Sequence, residues 1–266
     1  MKNLYINYYP SKNFGDALNP ILVKWLLKSM KKNYNVVRYD GIEIPPKEKI
    51  PSEPIYMAVG SILSWANEKN IVWGSGFISE DSELKGRPKK ILAVRGPLTR
   101  QKVLEQGADC PEVYGDPALL LPMFYSPKVK KRYKLGIIPH YIDMGVKFLE
   151  EIKGDGDVLI ININSPIKKV IEDILSCEKI ASSSLHGIIV SDAYKVPSVW
   201  LEFSDKVLGG GFKFKDYFLS VNRKNEAPLR VTEKTTLKEI EKQFHPYEIK
   251  IDLQKLLDAC PFNNLE

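Results

Sequence analysis

One repeated pattern constrains this chain most: a short β-rich apolar run stops at a glycine or turn cluster, and a segment of helical periodicity follows. "NLYINYY" is the first such run, and "PSKNFGD" is its turn-rich ending. Leu18, Ile21, Leu22, Trp25 and Leu26 then recur at helical spacing toward Met30, with Pro20 placed as a first-turn proline. "NVVRYD", "PIYMAVGSIL" and "NIVWGSGF" read as further strands. "KKILAVRGPL" gives a strand and then a helix over residues 97–106 that Gly107 terminates. "EVYGDPALLLPMF" closes this half. Buried strands that each lead through a glycine turn into a helix describe a parallel sheet covered by helices. Ligands bind such sheets beyond the carboxyl ends of the strands. Gly15, Gly60, Gly74, Gly76 and Gly96 mark that edge.

The stretch "YSPKVKKRY", residues 125–133, is basic, contains a proline and interrupts the apolar pattern, so it reads as a linker. The series then restarts: "KLGIIPHY", a helix near residues 144–152, "DVLIININ", a helix over 166–175, "KIASSS", a helix over 186–194 and the strand "SVWLEF". The expected fold is α/β, with two Rossmann-like domains, residues 1–125 and 133–221, and an interdomain cleft. The charged tail, residues 222–266, holds two helical patterns, "TLKEIEKQF" and "EIKIDLQKLLDAC". Neither says which domain it packs on.

Composition narrows the function classes. No apolar run reaches the ~18–20 residues that span a bilayer, and the N-terminus lacks the apolar core of a secretion signal. Cys110, Cys177 and Cys260 are scattered and odd in number, which points to a reduced, cytoplasmic protein without a disulfide framework or structural zinc. The formal net charge is +6, and clusters such as "KSMKK" and "KVKKRYK" suit a solvated lysine-rich surface or an anionic partner. No stripe interleaves basic and aromatic residues, so no nucleic-acid partner is expected. No His, Cys or carboxylate cluster has metal-ligand spacing, so no protein-held metal or cofactor is expected.

His186 is one of three histidines. Beside apolar residues it reads as a packed core group. In "SSSLHG", however, it follows a strand and opens a helix, where hydroxyls of Ser183 and Ser184 and free first-turn N–H groups form an anion site. A histidine there can transfer a proton next to a bound phosphate or carboxylate. Arg95 of "AVRGPLTR" ends a strand at a glycine turn and can grip an anion or cap its own loop. Lys206 of "FSDKV" lies at the end of the strand after His186 and would project from the same sheet edge. Asn13 and Asp16 of "NFGDALNP" and Asp116 of "YGDPALLLP" serve substrate binding or helix capping equally well. His140 ends a strand on the same face, whereas His245 lacks supporting context.

Taken in order, "NFGDALNPIL", "AVGSIL", "VWGSGF", "AVRGPLTR", "VYGDPALLLP", "GIIPHY", "SSSLHGIIVSDAYKVPSVWLEF" and "SDKV" resemble the polysaccharide pyruvyl transferase family, in its exopolysaccharide and succinoglycan ketal-forming type. The resemblance implies a GT-B-like fold and transfer of pyruvate from phosphoenolpyruvate onto two sugar hydroxyls, giving a cyclic ketal and free phosphate. It makes His186 the catalytic histidine, and Arg95 and Lys206 donor-binding residues with Ser183 and Ser184. Some relatives carry arginine where Ser184 stands. Substrate contacts are expected from Asn13, Gly15 and Asp16, from Gly60, Ser61, Gly74 and Gly76, and from Asp116 and His140. The first domain would take the acceptor and the second the donor. The implied partner is a glycan or lipid-linked oligosaccharide, which would bring the protein to the inner face of the cytoplasmic membrane. A divalent-cation requirement and the oligomeric state stay open. A nucleotide-sugar glycosyltransferase or epimerase of the same fold, and a non-catalytic glycan-binding module, are the alternatives.

Overall fold

After β1 (Lys2–Asn7), the Asn13 side chain accepts a hydrogen bond from Gly15 N–H and starts helix α1 (Phe14–Ser29). "NFGD" is therefore the first turn of α1 rather than part of a loop, and Pro20 lies inside the helix. The N–H that Pro20 lacks would have bonded the Asp16 carbonyl. Asn19 Nδ2 instead donates to the carbonyls of Gly15 (3.0 Å) and Asp16 (3.3 Å). The same amide exchanges two bonds with the Val59 backbone, at 3.1 and 3.0 Å, and pins α1 to the loop after β3 (Ile55–Met57).

The computed structural model describes residues 1–39, 51–223 and 226–265; Asp40, which ends "NVVRYD", lies outside them. β2 (Tyr34–Tyr39), β4 (Asn70–Trp73) and β5 (Lys90–Ala93) complete the first sheet, and α2 (Pro97–Glu105) follows it. The order is β2-β1-β3-β4-β5, with all pairs parallel. A buried 3-10 segment, Pro117–Met123, leads to the extended stretch before β6 (Tyr133–Ile138).

The second half runs through α3 (Lys147–Glu151), β7 (Val158–Ile160), α4 (Ile167–Leu175), β8 (Cys177–Ser182), α5 (Leu185–Ala193) and β9 (Ser198–Glu202). It continues with α6 (Phe212–Ser220), β10 (Leu229–Arg230), α7 (Leu237–Glu241) and α8 (Leu253–Asp258). Its sheet, β10-β9-β8-β6-β7, is again parallel throughout and repeats the winding of the first. The chain forms an α/β protein with two Rossmann-like sheets. In this order the winding reverses between β1 and β3 and between β6 and β8, and loops diverging at such a point leave a crevice at the strands' carboxyl ends.

The halves share one apolar core, running from Leu4, Phe14 and Leu22 through Leu119–Leu121 to Ile138, Ile171 and Ile188. Two segments cross between them. Gly209, Gly210 and Gly211, at φ 99°, 52° and 79°, turn the chain so that α6 packs on α2 of the first half. The tail supplies β10 and α7 to the second sheet, then returns: Trp73 Nε1–H donates to the Leu256 carbonyl (2.8 Å), and Phe262 meets Tyr56 edge-on at 5.1 Å. Among the described residues, no helix is long and apolar enough to cross a membrane.

Candidate active site

The two switch points face one cleft of about 360 Å³. From the first half it is lined by Tyr9, Asn13, Gly15 and Asp16 after β1, and by Gly60, Ser61 and Trp65 after β3. From the second half come His140 and Tyr141 after β6, Ser184, Leu185 and His186 after β8, and Lys213 of α6.

His186 stands in the first turn of α5, with its side chain 10% exposed. Its ring lies against Gly15: a Cβ at Gly15 would come within 2.2 Å of His186 Cε1 and 2.3 Å of Nδ1. Only glycine in "NFGD" lets the imidazole occupy this place. His186 Nε2 is 3.5 Å from Asp116 Oδ2, and neither atom has a hydrogen-bond partner. The separation is close enough for charge to matter but outside good hydrogen-bond geometry. Asp116 itself is fully buried and anchored, since Oδ1 caps the 3-10 segment by accepting from Ala118 N–H at 2.9 Å. It supplies a fixed negative charge behind the imidazole.

Asp16 faces His186 from the first turn of α1. Burial raises its carboxyl above the ordinary carboxylate range, while the Ser11 hydroxyl, 2.6 Å away, and the charges of His186 and Lys213 oppose the rise. Burial, and secondarily the charge of Lys213, push His140 down to about 4, so its ring is neutral at physiological pH. Ser184 lines the cleft, whereas Ser183 acts behind it, its hydroxyl accepting from His140 N–H at 2.8 Å.

The expected cations are placed elsewhere. Arg95 is fully buried, and its guanidinium is held by Asp216 Oδ2 (3.0 Å), Ser61 Oγ (2.6 Å) and the Phe77 carbonyl (2.6 Å). It latches α6 to the first half instead of reaching into the cleft. Lys206 lies in an exposed turn beyond β9 and does not line the cleft. The cation that does is Lys213 of "FKFKD", which the sequence reading did not select. Its one signal was the preceding glycine triplet. Gly74, Gly76 and Gly96 are packing glycines: an added Cβ would meet the Pro117 ring, the Arg95 guanidinium and the Asp216 carbonyl. His245 lines a separate recess of about 350 Å³ with Tyr247 and Ile249. Among the described residues, no group of His, Cys, Asp and Glu could hold a metal ion.

The family model of polysaccharide pyruvyl transferase matches residues 13–205. An uncharacterized protein, L143, of Acanthamoeba polyphaga mimivirus is 30% identical over 223 residues, covering 81% of this chain and 74% of the viral protein. The succinoglycan biosynthesis protein ExoV of Rhizobium meliloti (strain 1021) is 30% identical over 215 residues, covering 77% of this chain but 60% of its own length. Among solved structures, a functionally uncharacterized Klebsiella pneumoniae protein aligns over 87% of this chain and 93% of its own, at 11% identity and a TM-score of 0.48.

Proposed function

This chain belongs to the polysaccharide pyruvyl transferase family, and from that premise we propose that it is an enzyme transferring pyruvate from phosphoenolpyruvate onto two hydroxyls of one sugar. The observation that carries this reading is the meeting of four things around the cleft between the two switch points. These are an imidazole backed by Asp116, a partly buried carboxyl, a lysine and a helix N-terminus, all around one small cleft.

Phosphoenolpyruvate needs an acid for its methylene carbon and positive charge around its two anionic ends. His186 gives a proton to C3, leaving an oxocarbenium-like centre at C2 that the first sugar hydroxyl attacks. The second hydroxyl then takes the place of phosphate at C2. One hydroxyl proton replaces the proton His186 gave, and the other leaves with phosphate, so atoms and charge balance. Asp16, whose raised carboxyl is a better base for a hydroxyl, takes the acceptor proton from the first-half side. Asp116 stabilises the imidazolium between steps.

In this reading the second half holds the donor and the first half the acceptor. The rim suits a saccharide: Tyr9 and Trp65 stand 6.2 Å apart, and Tyr141 lies across the mouth beside His140. Such rings offer an apolar face to sugar C–H groups and a polar tip to hydroxyls. The acceptor is a surface polysaccharide or its lipid-linked precursor at the inner face of the cytoplasmic membrane, where the lysine-rich surface would assist.

Thermal shift with phosphoenolpyruvate beside UDP-glucose and GDP-mannose tests the donor. Phosphoenolpyruvate should stabilise the protein and the nucleotide sugars should not; stabilisation by nucleotide sugars alone overturns the reading. In a phosphate-release assay with surface glycan as acceptor, His186→Ala should lose turnover and keep its fold.

A further inference from the structure

Lys213 is the least explained charge in the molecule. It lies eight residues beyond the end of the family match (213 − 205), and it enters the cleft only because the glycine triplet turns α6 back across the first half. Each end of that turn requires glycine. At Gly209 an added Cβ would strike the Ile78 carbonyl oxygen at 1.9 Å, and at Gly211 it would meet the Trp200 ring at 2.7 Å. One helical turn further on, Asp216 is clamped by Arg95 and accepts from Thr99 N–H and Oγ1–H at 2.9 and 2.7 Å. The helix is thus fixed at both ends of its first turn, with Lys213 between them.

Among the described residues, Lys213 makes no ion pair and no hydrogen bond; its Nζ has only the Phe214 ring, at 5.9 Å. Burial, and then the charge of Arg95, push it down to about 8, with Asp16 opposing. A partly buried ammonium without a counter-ion is costly unless a ligand supplies one. Across the cleft, Leu185 and His186 of the first turn of α5 line the wall, and their N–H groups have no acceptor among the described residues. The imidazole of His186 lines the cleft between them, with its Nε2 turned to Asp116.

We propose that Lys213 and the first-turn N–H groups of α5 form the subsite for the phosphate of the cleft's ligand. A phosphate monoester has oxygens to spread over several N–H donors and a point charge. A carboxylate is better served by an arginine fork, and Arg95, the arginine of this region, is committed to Asp216. Identifying the ester as phosphoenolpyruvate rests on the function proposed above; the phosphate subsite itself does not.

The test compares wild type, Lys213→Met and Lys213→Arg by titration calorimetry with inorganic phosphate, phosphoenolpyruvate and pyruvate. Methionine keeps the aliphatic stem and removes only the charge, and thermal unfolding of each variant checks the fold. K213M should weaken phosphate and phosphoenolpyruvate at least tenfold and K213R by much less, with pyruvate little changed. Asp16, His140 and His186 face the same cleft, and the buried Arg95 charge acts on residue 213, in all three proteins, so a pH difference between wild type and K213R isolates the lysine. From pH 7.5 to 9.5, wild type should lose phosphate affinity as Lys213 gives up its proton, while K213R holds it.

Unchanged phosphate affinity in K213M overturns the assignment, as does a wild type that binds neither anion. A loss confined to pyruvate also overturns it, by moving Lys213 to the carboxylate end. A wild type that binds phosphate through Lys213 yet releases none from phosphoenolpyruvate keeps the subsite and defeats the proposed function.

Discussion

At the scale of single residues, the contact between Gly15 and His186 joins the first turns of two helices from different halves. Gly15→Ala should leave the fold intact, because alanine favours a helix by about 1 kcal/mol over glycine. The added methyl would nonetheless stand 2.2 Å from Cε1 and force the imidazole aside. A displacement near 1 Å can cost about a hundredfold. The expected result is a phosphate-release rate lowered about a hundredfold with an unchanged or raised Tm; wild-type turnover in Gly15→Ala would dissociate the ring's place from catalysis. The place of His186 at the start of α5 was legible because its strand, serine run and helix start are contiguous in sequence. The buried pairing of Arg95 was not legible, because its carboxylate partner is 121 residues away.

At the scale of elements, α6 shows how position overrides local pattern. By composition "FKFKDYFLS" is an ordinary amphipathic helix of the second half, yet it packs on α2 through the Arg95–Asp216 pair, both side chains fully buried. Asp216→Ala leaves the guanidinium buried without a counter-charge, a loss of about 3 kcal/mol or more. At roughly 2–4 °C per kcal/mol for a chain of this size, Tm should fall by about 10 °C. Asp216→Asn, which keeps the shape and accepts from Thr99, should fall less. Both should weaken donor binding through Lys213, so calorimetry beside thermal unfolding checks the prediction. In α1 the departure from expectation is also local: the pairing of Asn19 with Pro20 lets a helix absorb a proline that would otherwise have delayed its start.

At the scale of the whole molecule, two repeats of one winding place their switch points against each other, and that alone creates the cleft. The repeats are not independent bodies. Phe262 and Leu256 from the tail are fully buried against the first sheet, and α5 packs on the Pro117–Met123 segment. Unfolding should therefore be a single cooperative transition, with calorimetric and van't Hoff enthalpies in agreement. Two resolved transitions, one for each sheet, would contradict the shared core.

The sequence by itself determined the parallel sheets and the strand-to-helix turn that carries His186 and Ser184, although β3, β4 and β5 follow one another without the α-helices that strict alternation would place between them. Each of these follows from residues within a few positions of one another, through periodicity, capping and the φ that glycine permits. Only the tertiary structure decided which charges face the cleft. Whether Arg95, Lys206 or Lys213 enters the cleft depends on a glycine turn and on a buried ion pair between residues far apart in the chain. No local pattern encodes where such a pair closes, because its energy comes from burial that exists only once both halves have packed.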